Sequence, residues 1–269
     1  MEFADRFMVK PNTRVKLSKH DPDCTAGFKR KRDAKAQLEK NVERLAELQY
    51  LLYAEDRHAL LIVLQALDAG GKDGTIRHVM SGVNPQGCRV TPFKVPSAEE
   101  ADHDFLWRIH KAVPRKGEIG IFNRSHYEEV LVVRVHNLVP KSVWSKRYGQ
   151  INRFEEILAR NSVKILKFFL HISKDEQKNR FQERLDRADK NWKVNPADFE
   201  ERKHWDDYMA AYEEALSRCS TKHAPWFIIP ANKKWFRNLA VAQIIVETLE
   251  ALDMKFPRPS YDPSKIVLE

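Results

Sequence analysis

The segment LLIVLQALDAGGKDGTI, residues 60–76, decides the fold. Its first half is an unbroken run of Leu, Ile and Val, which is typical of a strand buried on both faces of a parallel sheet. The run leads to glycines beside Lys72, and the chain after them can turn helical. Glycines let backbone N–H groups converge on an anion, while a helix N-terminus and a lysine add positive charge. The segment therefore predicts a strand, a phosphate-binding loop and a helix.

The loop departs from the usual G-x-x-x-x-G-K-S/T pattern at two positions. Ala66 stands where the first glycine belongs, and Asp73 stands where the magnesium-binding hydroxyl belongs. Asp68 and Thr75 are then the nearest oxygen donors for a metal. An ordinary turn rich in Ala and Gly is the alternative interpretation, although the preceding strand and the lysine disfavour it. The residues expected to bind phosphate or polyphosphate are Ala69, Gly70, Gly71, Lys72, Asp73, Gly74 and Thr75.

Length and composition indicate one large α/β domain covering residues 1–269. Hydrophobic residues make up 42% of the chain and charged residues 32%, as in soluble globular proteins. No apolar run approaches the length of a membrane span, and the charged N-terminus does not resemble a signal peptide. Cys24, Cys88 and Cys219 lack metal-ligand spacing, which favours free thiols in a reducing compartment. We therefore expect a cytoplasmic location and no membrane partner.

The chain carries 47 Lys and Arg residues against 38 Asp and Glu, a formal net charge of +9. Such a surplus attracts polyanions, so nucleic acid, a nucleotide or another phosphate polymer would fit. A solvated basic surface without a partner is equally compatible with the charge.

Hydrophobic periodicity and turn residues divide the chain into an ordered series. An irregular N-terminal arm (1–27) precedes a long amphipathic helix (28–54), a core (55–252) and a C-terminal tail (253–269). Apolar segments that predict strands lie at 60–64, 88–93, 118–122, 163–172 and 226–229. The intervening helices are expected at about 75–80, 98–112, 141–161, 174–187, 200–217 and 239–252. This alternation predicts an α/β fold with a five-stranded parallel sheet covered on both faces.

Polar residues follow the third predicted strand directly, from Asn123 and Arg124 to Glu128 and Glu129. Open α/β sheets bind their ligands at the carboxyl ends of the strands. We therefore expect this segment to face the phosphate loop.

A basic stripe lies in the second half of the chain. Arg180, Arg184 and Arg187 recur at i, i+4 and i+7, so a helix would place them on one face. Acidic residues lie nearby, and a salt-bridged surface is one interpretation. The basic turn at 188–196 favours another, a mobile lid over the phosphate site at about residues 180–200.

Three motifs together resemble the second family of polyphosphate kinases: ALDAGGKDGT (66–75), FNRSHYEE (122–129) and the basic segment 180–193. The similarity runs in order from about residue 30 to 250. It implies a P-loop kinase-like three-layer αβα sandwich with a helical lid. It also implies Mg²⁺-dependent phosphoryl transfer between inorganic polyphosphate and a nucleotide.

The resemblance also implies roles for single residues. Asp68 is similar to a carboxylate that helps hold magnesium, and Lys72 to a lysine bridging the donor and acceptor phosphates. Arg124 resembles a clamp on the transferring phosphoryl group. The lid and nucleotide residues would be Asn123, Arg124, Arg180, Arg187, Lys190 and Lys193. The catalytic residues would be Asp68, Lys72, Arg124, Glu128 and Arg180.

One departure concerns Asn123, because many family members carry Asp there. Glu128 or Glu129 is expected to supply the missing charge, and Asp68 and Glu128 are the candidate metal ligands. The Asn followed by an acidic pair is similar to the class III branch, whose members take both AMP and ADP. The resemblance thus implies polyphosphate-dependent conversion of AMP to ADP and of ADP to ATP, with Mg²⁺, or Mn²⁺ in its place. Weak discrimination between adenine and guanine, and a homodimer or homotetramer, are further expectations.

Two other functions compete with this one. An ATP-using nucleoside monophosphate kinase would more often end its loop in Lys-Ser or Lys-Thr, whereas this loop ends in Lys72-Asp73. A basic nucleic-acid-binding protein would be expected to carry a recognisable reader, and the sequence shows no zinc knuckle, RNP motif or helix-turn-helix. We therefore expect no nucleic-acid partner.

Overall fold

The computed structural model describes residues 3–266. The strands are β1 (Ala59–Gln65), β2 (Cys88–Pro92), β3 (Ile119–Asn123), β4 (Val163–His171) and β5 (Trp226–Pro230). They form one sheet in the order β2-β3-β1-β4-β5, and every neighbouring pair is parallel. The predicted α/β fold with a five-stranded parallel sheet is confirmed.

Helices connect the strands and cover the sheet. They are α1 (Phe3–Phe7), α2 (Lys31–Glu55), α3 (Lys72–Val79), α4 (Ala98–Asp102), α5 (Trp107–Ala112), α6 (Val132–Val135), α7 (Lys141–Arg160), α8 (Lys174–Asp186), α9 (Pro196–Glu201), α10 (Trp205–Cys219) and α11 (Lys234–Glu250). Within residues 3–266, none of them is both long and apolar enough to span a bilayer.

The sheet has an apolar core on each face, as the three-layer prediction requires. All seven residues of β1 are buried because helices cover both sides of it. Alternate β1 residues enter opposite cores, so that Leu60 packs with α2 and α11 while Leu61 packs with α7 and α10. A continuous apolar run is the sequence pattern that such two-sided burial demands.

Several predicted boundaries were wrong. The helix expected at 98–112 is two helices, because Asp104 makes a turn by accepting the N–H of Leu106 on its side chain and that of Trp107 on its carbonyl. The arm is not wholly irregular: it contains α1 and a 3-10 turn at Leu17–Lys19. The tail likewise contains a 3-10 turn at Pro263–Lys265, while residues 1–2 and 267–269 lie outside the described part.

The topology brings two loops to one edge of the sheet. β1 and β3 are parallel neighbours, with Leu64 opposite Asn123. The chain leaving β1 enters the glycine loop, and the chain leaving β3 enters Arg124, whose N–H donates to the Leu64 carbonyl at 3.2 Å. Residues separated by more than fifty positions therefore meet at the carboxyl ends of the central strands, as predicted.

Candidate active site

The glycine loop owes its shape to unusual backbone conformations. Ala69 has φ 59° and Gly71 has φ 101°, and Gly71 caps the N-terminus of α3. Lys72 begins α3 and folds back, so that its Nζ donates to the Ala66 carbonyl at 2.9 Å. The loop thus brings a lysine ammonium and a helix N-terminus to one place, an arrangement suited to phosphate.

Gly71 also lies against a buried side chain. A Cβ built on it would stand 1.8 Å from Nη1 of Arg237. We therefore expect Gly71→Ala to lower the free energy of unfolding by about 1–2 kcal/mol, since the left-handed backbone alone costs that much for a residue with a Cβ. Urea unfolding measures it, with Gly149→Ala as the matched control.

Gly149 lies inside α7, and nothing lies within 4 Å of a Cβ built there. Gly149→Ala should leave stability unchanged or raise it by up to about 1 kcal/mol, because alanine favours a helix over glycine. Equal behaviour of the two variants would contradict the loop geometry.

Asp68 and Arg124 form a charge pair across the mouth of the two loops. Nη2 of Arg124 donates to Oδ1 of Asp68 at 3.1 Å, and both side chains are partly exposed. Arg124 has φ 63°, a left-handed conformation that is uncommon outside glycine. The next residue, Ser125, is anchored by Gln65, whose Nε2 donates to its Oγ at 3.1 Å. The hydrogen bond from Gln65 thus holds the strained backbone at Arg124 in place, and the guanidinium of Arg124 points toward the loop.

Asn123 meets a carboxylate from the phosphate loop. Its Nδ2 donates to Oδ1 of Asp73 at 2.7 Å. The position where related chains are expected to carry Asp therefore has a carboxylate next to it, supplied by Asp73. From the sequence, only Glu128 and Glu129 were expected to supply this charge.

The surroundings of Lys72 disfavour its charged form. Burial lowers the pKa of Lys72, and the neighbouring Arg124 cation lowers it further, while Asp68 and Asp73 oppose the shift. A bound anion would favour the charged ammonium, so the loop is electrostatically prepared for phosphate.

The loop opens into a cavity of about 1590 Å³. Its cationic side chains outnumber its acidic ones by thirteen to six in the described part of the chain. The cations are Lys31, Lys35, Lys72, Arg77, Lys94, Arg124, Arg180, Arg184, Lys190, Lys193, Lys233, Lys234 and Arg237. The cavity is far larger than one triphosphate needs, and its charge matches a long polyanion.

A second cavity, of about 360 Å³, lies beside the first. Trp205, Tyr208 and Tyr212 of α10 line it, and the two cavities share Asp68, Val95, Arg124 and Asp198. A ligand there would meet the occupant of the first cavity at this shared wall, where Asp68 and Arg124 supply opposite charges.

Glu128 lies in the second cavity and does not line the first. Burial raises the pKa of Glu128, although Arg124 and Lys72 oppose the shift. Thr75 also differs from its expected role, because it is buried and its Oγ1 donates to the Gly71 carbonyl at 3.1 Å. It therefore shapes the loop without facing the cavity.

Arg180 occupies a different place from the lid position inferred for it. It is only 6% exposed, and its guanidinium donates to Glu176 and to four backbone carbonyls: those of Ala69, Gly70, Ala231 and Asn232. Such a side chain cannot move with a lid. It joins the phosphate loop to the start of α8 and to the chain after β5.

Two of the remaining lid cations, Arg187 and Lys190, are held by acidic neighbours. Arg187 follows the end of α8, so the predicted stripe is broken there, and it pairs with Asp189 at 2.8 Å outside the cavity. Lys190 pairs with Glu183, whose pKa is lowered to about 2 by Lys190 and Lys234. Lys190 and Lys193 do line the cavity, as inferred.

Two parts of the cavity wall are not among the site residues predicted from the sequence. Lys233, Lys234 and Arg237 come from the start of α11, where the apolar periodicity that marked the helix had not yet begun. Lys31 and Lys35 belong to the basic start of α2, whose cluster of cations was the available signal.

The carboxylates of the phosphate loop fit a divalent cation that substrate phosphates would help to hold. Residues 3–266 contain no group of three or more His, Cys, Asp or Glu that could hold a metal by themselves. Mg²⁺, however, keeps several waters and usually takes one or two carboxylates together with substrate phosphates. Asp68 and Asp73, both on the cavity wall, supply such carboxylates.

A parallel sheet with a lysine-bearing phosphate loop, and with Arg124 facing that loop, defines a phosphotransferase of the P-loop kinase class. Residues 28–257 match the Polyphosphate kinase 2 (PPK2) family. The chain is 56% identical to the AMP/ADP-polyphosphate phosphotransferase of Meiothermus ruber, over 98% of this chain and 99% of that protein. It is 49% identical to the ADP-polyphosphate phosphotransferase of Rhodopseudomonas palustris, over 98% and 96%.

A solved structure of a polyphosphate kinase 2 has the same fold as this chain. The crystal structure of Polyphosphate Kinase 2 from Arthrobacter aurescens TC1 superposes with a TM-score of 0.95 at 43% identity, covering 98% of this chain and 94% of that one. The protein belongs to the polyphosphate kinase 2 family and is a phosphotransferase. The resemblance seen in the sequence is confirmed, and neither alternative, the ATP-using monophosphate kinase or the nucleic-acid-binding protein, is favoured.

Proposed function

We propose that this protein transfers the terminal phosphoryl group of inorganic polyphosphate to AMP, giving ADP, and to ADP, giving ATP. The observation that carries the proposal is the meeting of Lys72, Asp68 and Arg124 at the mouth of a large cationic cavity. In each transfer, the bond between the terminal phosphorus and its bridging oxygen breaks, and a bond forms to a phosphate oxygen of the nucleotide.

The residues match what this reaction needs. Phosphoryl transfer depends on positioning and on neutralising negative charge, with little covalent help from the protein. Lys72 and Arg124 place two cations beside the loop, and the wider cavity supplies the further charge that a polymeric donor demands. No side chain has to act as a nucleophile.

Mg²⁺, or Mn²⁺ in its place, is the cofactor in this proposal. Asp68 is its first candidate ligand, Asp73 has the next suitable placement, and Glu128 remains a candidate from the side of the second cavity. The bound cation would neutralise phosphate charge during transfer.

We place the nucleotide in the second cavity. There its phosphates would reach Asp68 and Arg124, and its base would lie near Trp205, Tyr208 and Tyr212. Aromatic faces stack on any base, so weak discrimination between adenine and guanine is part of the proposal. We also propose that the protein is cytoplasmic and forms a homodimer or a homotetramer, as expected from the sequence.

The use of both acceptors is the finer claim. The Meiothermus ruber protein is named for AMP and ADP, whereas the Rhodopseudomonas palustris protein is named for ADP alone. AMP and ADP differ in reach by one phosphate unit, so the nucleotide must shift relative to the donor. From the first cavity, Lys193 on its long flexible side chain could follow the nucleotide phosphates as a point charge, and Lys190 could do so by leaving Glu183.

A time course tests the proposal. With long polyphosphate, Mg²⁺ and AMP, and no ATP added, chromatography should show ADP first and ATP afterwards. Lys72→Met protein purified in parallel controls for contaminating adenylate kinase. ADP that accumulates unconverted, or AMP that stays inert while ADP reacts, would refute the dual acceptor. Transfer from ATP with none from polyphosphate would refute the donor.

A further inference from the structure

Arg237 lies under the phosphate loop, in the first turn of α11. It is 3% exposed, and its Nη1 lies 3.4 Å from the Gly70 carbonyl oxygen. Cβ atoms built on Gly71 and Gly74 would stand 1.8 Å from Nη1 and 3.3 Å from Nη2. The guanidinium therefore touches the loop at both of these glycines.

The charge of Arg237 has no acidic partner in the described part of the chain. Its hydrogen bonds go to Oδ1 of Asn238, at 3.1 Å from Nε and 2.8 Å from Nη2, and to Gly70. A guanidinium has five N–H donors, so each Nη keeps one N–H without a protein acceptor. Burial, and then the adjacent cation Arg180, lower the pKa of Arg237 to about 9.

Arg180 shows what a structural arginine looks like at this place. Its charge is paired with Glu176 at 2.7 Å, and four carbonyls accept from its two Nη atoms. Buried charges without such pairing are rare, because removing them from water costs far more than ordinary hydrogen bonds return. Arg237 and Asn238 both line the large cavity, so an anion that enters it can reach the open N–H groups.

We infer that Arg237 is a further phosphate-binding residue, which holds a phosphoryl group of the polyphosphate donor from beneath the loop. The inference rests on the proposed function, because it takes the donor to be the anion in the large cavity. Glycine at 71 and 74 then has a second purpose, since side chains there would separate Arg237 from the phosphate.

The test uses inorganic tripolyphosphate as the ligand and compares Arg237→Gln with wild type. Removing an unpaired buried charge should leave the unfolding temperature of the free protein unchanged or raise it. Tripolyphosphate should bind about 10- to 100-fold more weakly by calorimetry and should stabilise the variant less against heat. In turnover, KM for polyphosphate should rise while KM for AMP stays within about twofold.

Two further variants sharpen the test. Arg160→Gln removes an exposed cation of α7 outside both cavities and should bind tripolyphosphate as wild type does. Arg237→Lys keeps the charge and should recover part of the affinity, and it provides the measurement if Arg237→Gln does not fold.

The outcomes separate this inference from the proposed function. If Arg237→Gln lowers the unfolding temperature but binds tripolyphosphate normally, Arg237 only supports the loop and the inference is overturned. If wild type binds tripolyphosphate, Arg237→Gln binds it weakly, and neither transfers phosphate to AMP or ADP, the proposed function fails while the phosphate contact stands. Wild type that binds no tripolyphosphate overturns both.

Discussion

Replacing Lys72 by methionine is expected to lower the rate of phosphoryl transfer by about 10²- to 10³-fold, with little change in stability. The ammonium stands where charge on the transferring phosphoryl group must be neutralised, and its one hydrogen bond in the structure goes to the Ala66 carbonyl. Burial lowers the pKa of Lys72, so the charge is a cost to the free protein and its loss should not unfold it. Steady-state rates and thermal unfolding measure the two effects.

The matched control is Lys164→Met, which removes the same charge from an exposed position on β4 outside both cavities. It should retain normal turnover. Asp68→Asn should lose activity to a similar degree as Lys72→Met, because it removes the carboxylate that holds Arg124 at 3.1 Å and is the first candidate metal ligand. Near-normal rates in both loop variants would show that phosphate does not bind there.

The fold was predictable because its signals are local. The apolar run of β1, the glycines after it and the Asn123-Arg124 segment after β3 each follow from neighbouring residues, and parallel topology then brings them to one edge. The same reasoning cannot fix a helix start when the first turn is polar. For this reason α11, which begins at Lys234, was expected only from residue 239.

Arg180 shows the limit of helical periodicity. Spacing places a side chain on one face of α8, but it does not reveal what lies opposite that face. The structure puts backbone carbonyls of the phosphate loop there. These accept hydrogen bonds from Arg180, which is therefore a buried tie between α8 and the loop. An exposed stripe and a buried tie have the same sequence pattern, since both need only an arginine at that helical position.

Arg237 could not be placed from sequence for a different reason. It meets Gly70 across 167 positions of chain, and nothing in the neighbouring apolar residues Phe236 and Leu239 marks it as part of a phosphate site. Contacts of this range depend on how α11 packs beside α3. A single sequence carries no signal for such packing.

Lys167 was likewise hidden inside the apolar segment that predicted β4. It is fully buried, and its Nζ donates to Glu155, to the Tyr127 hydroxyl at 2.8 Å and to the Cys219 carbonyl at 2.6 Å. Glu155 also receives the Tyr127 hydroxyl at 2.9 Å and contacts His126. His126 and Tyr127 of this cluster directly follow Ser125, while Glu155 lies in α7 and Lys167 in β4. The cluster therefore connects the loop after β3 to α7 and β4.

Lys167→Met is expected to lower the free energy of unfolding by about 3–5 kcal/mol, because it leaves Glu155 as an uncompensated buried charge. Although burial raises it, Lys167 and then His126 bring the pKa of Glu155 below its ordinary value. Without Lys167 the pKa of Glu155 should rise above the unfolded value. Urea unfolding at neutral pH measures the loss.

The sign of the pH dependence separates lost charge pairing from lost packing. A carboxyl whose folded pKa exceeds its unfolded pKa contributes stability that disappears as the pH rises, so the penalty of Lys167→Met should shrink at acid pH. The double variant Lys167→Met/Glu155→Gln should recover much of the loss and show no such dependence. A penalty that is the same at every pH, and equal in the single and double variants, would mean that Lys167 contributes through its packing alone.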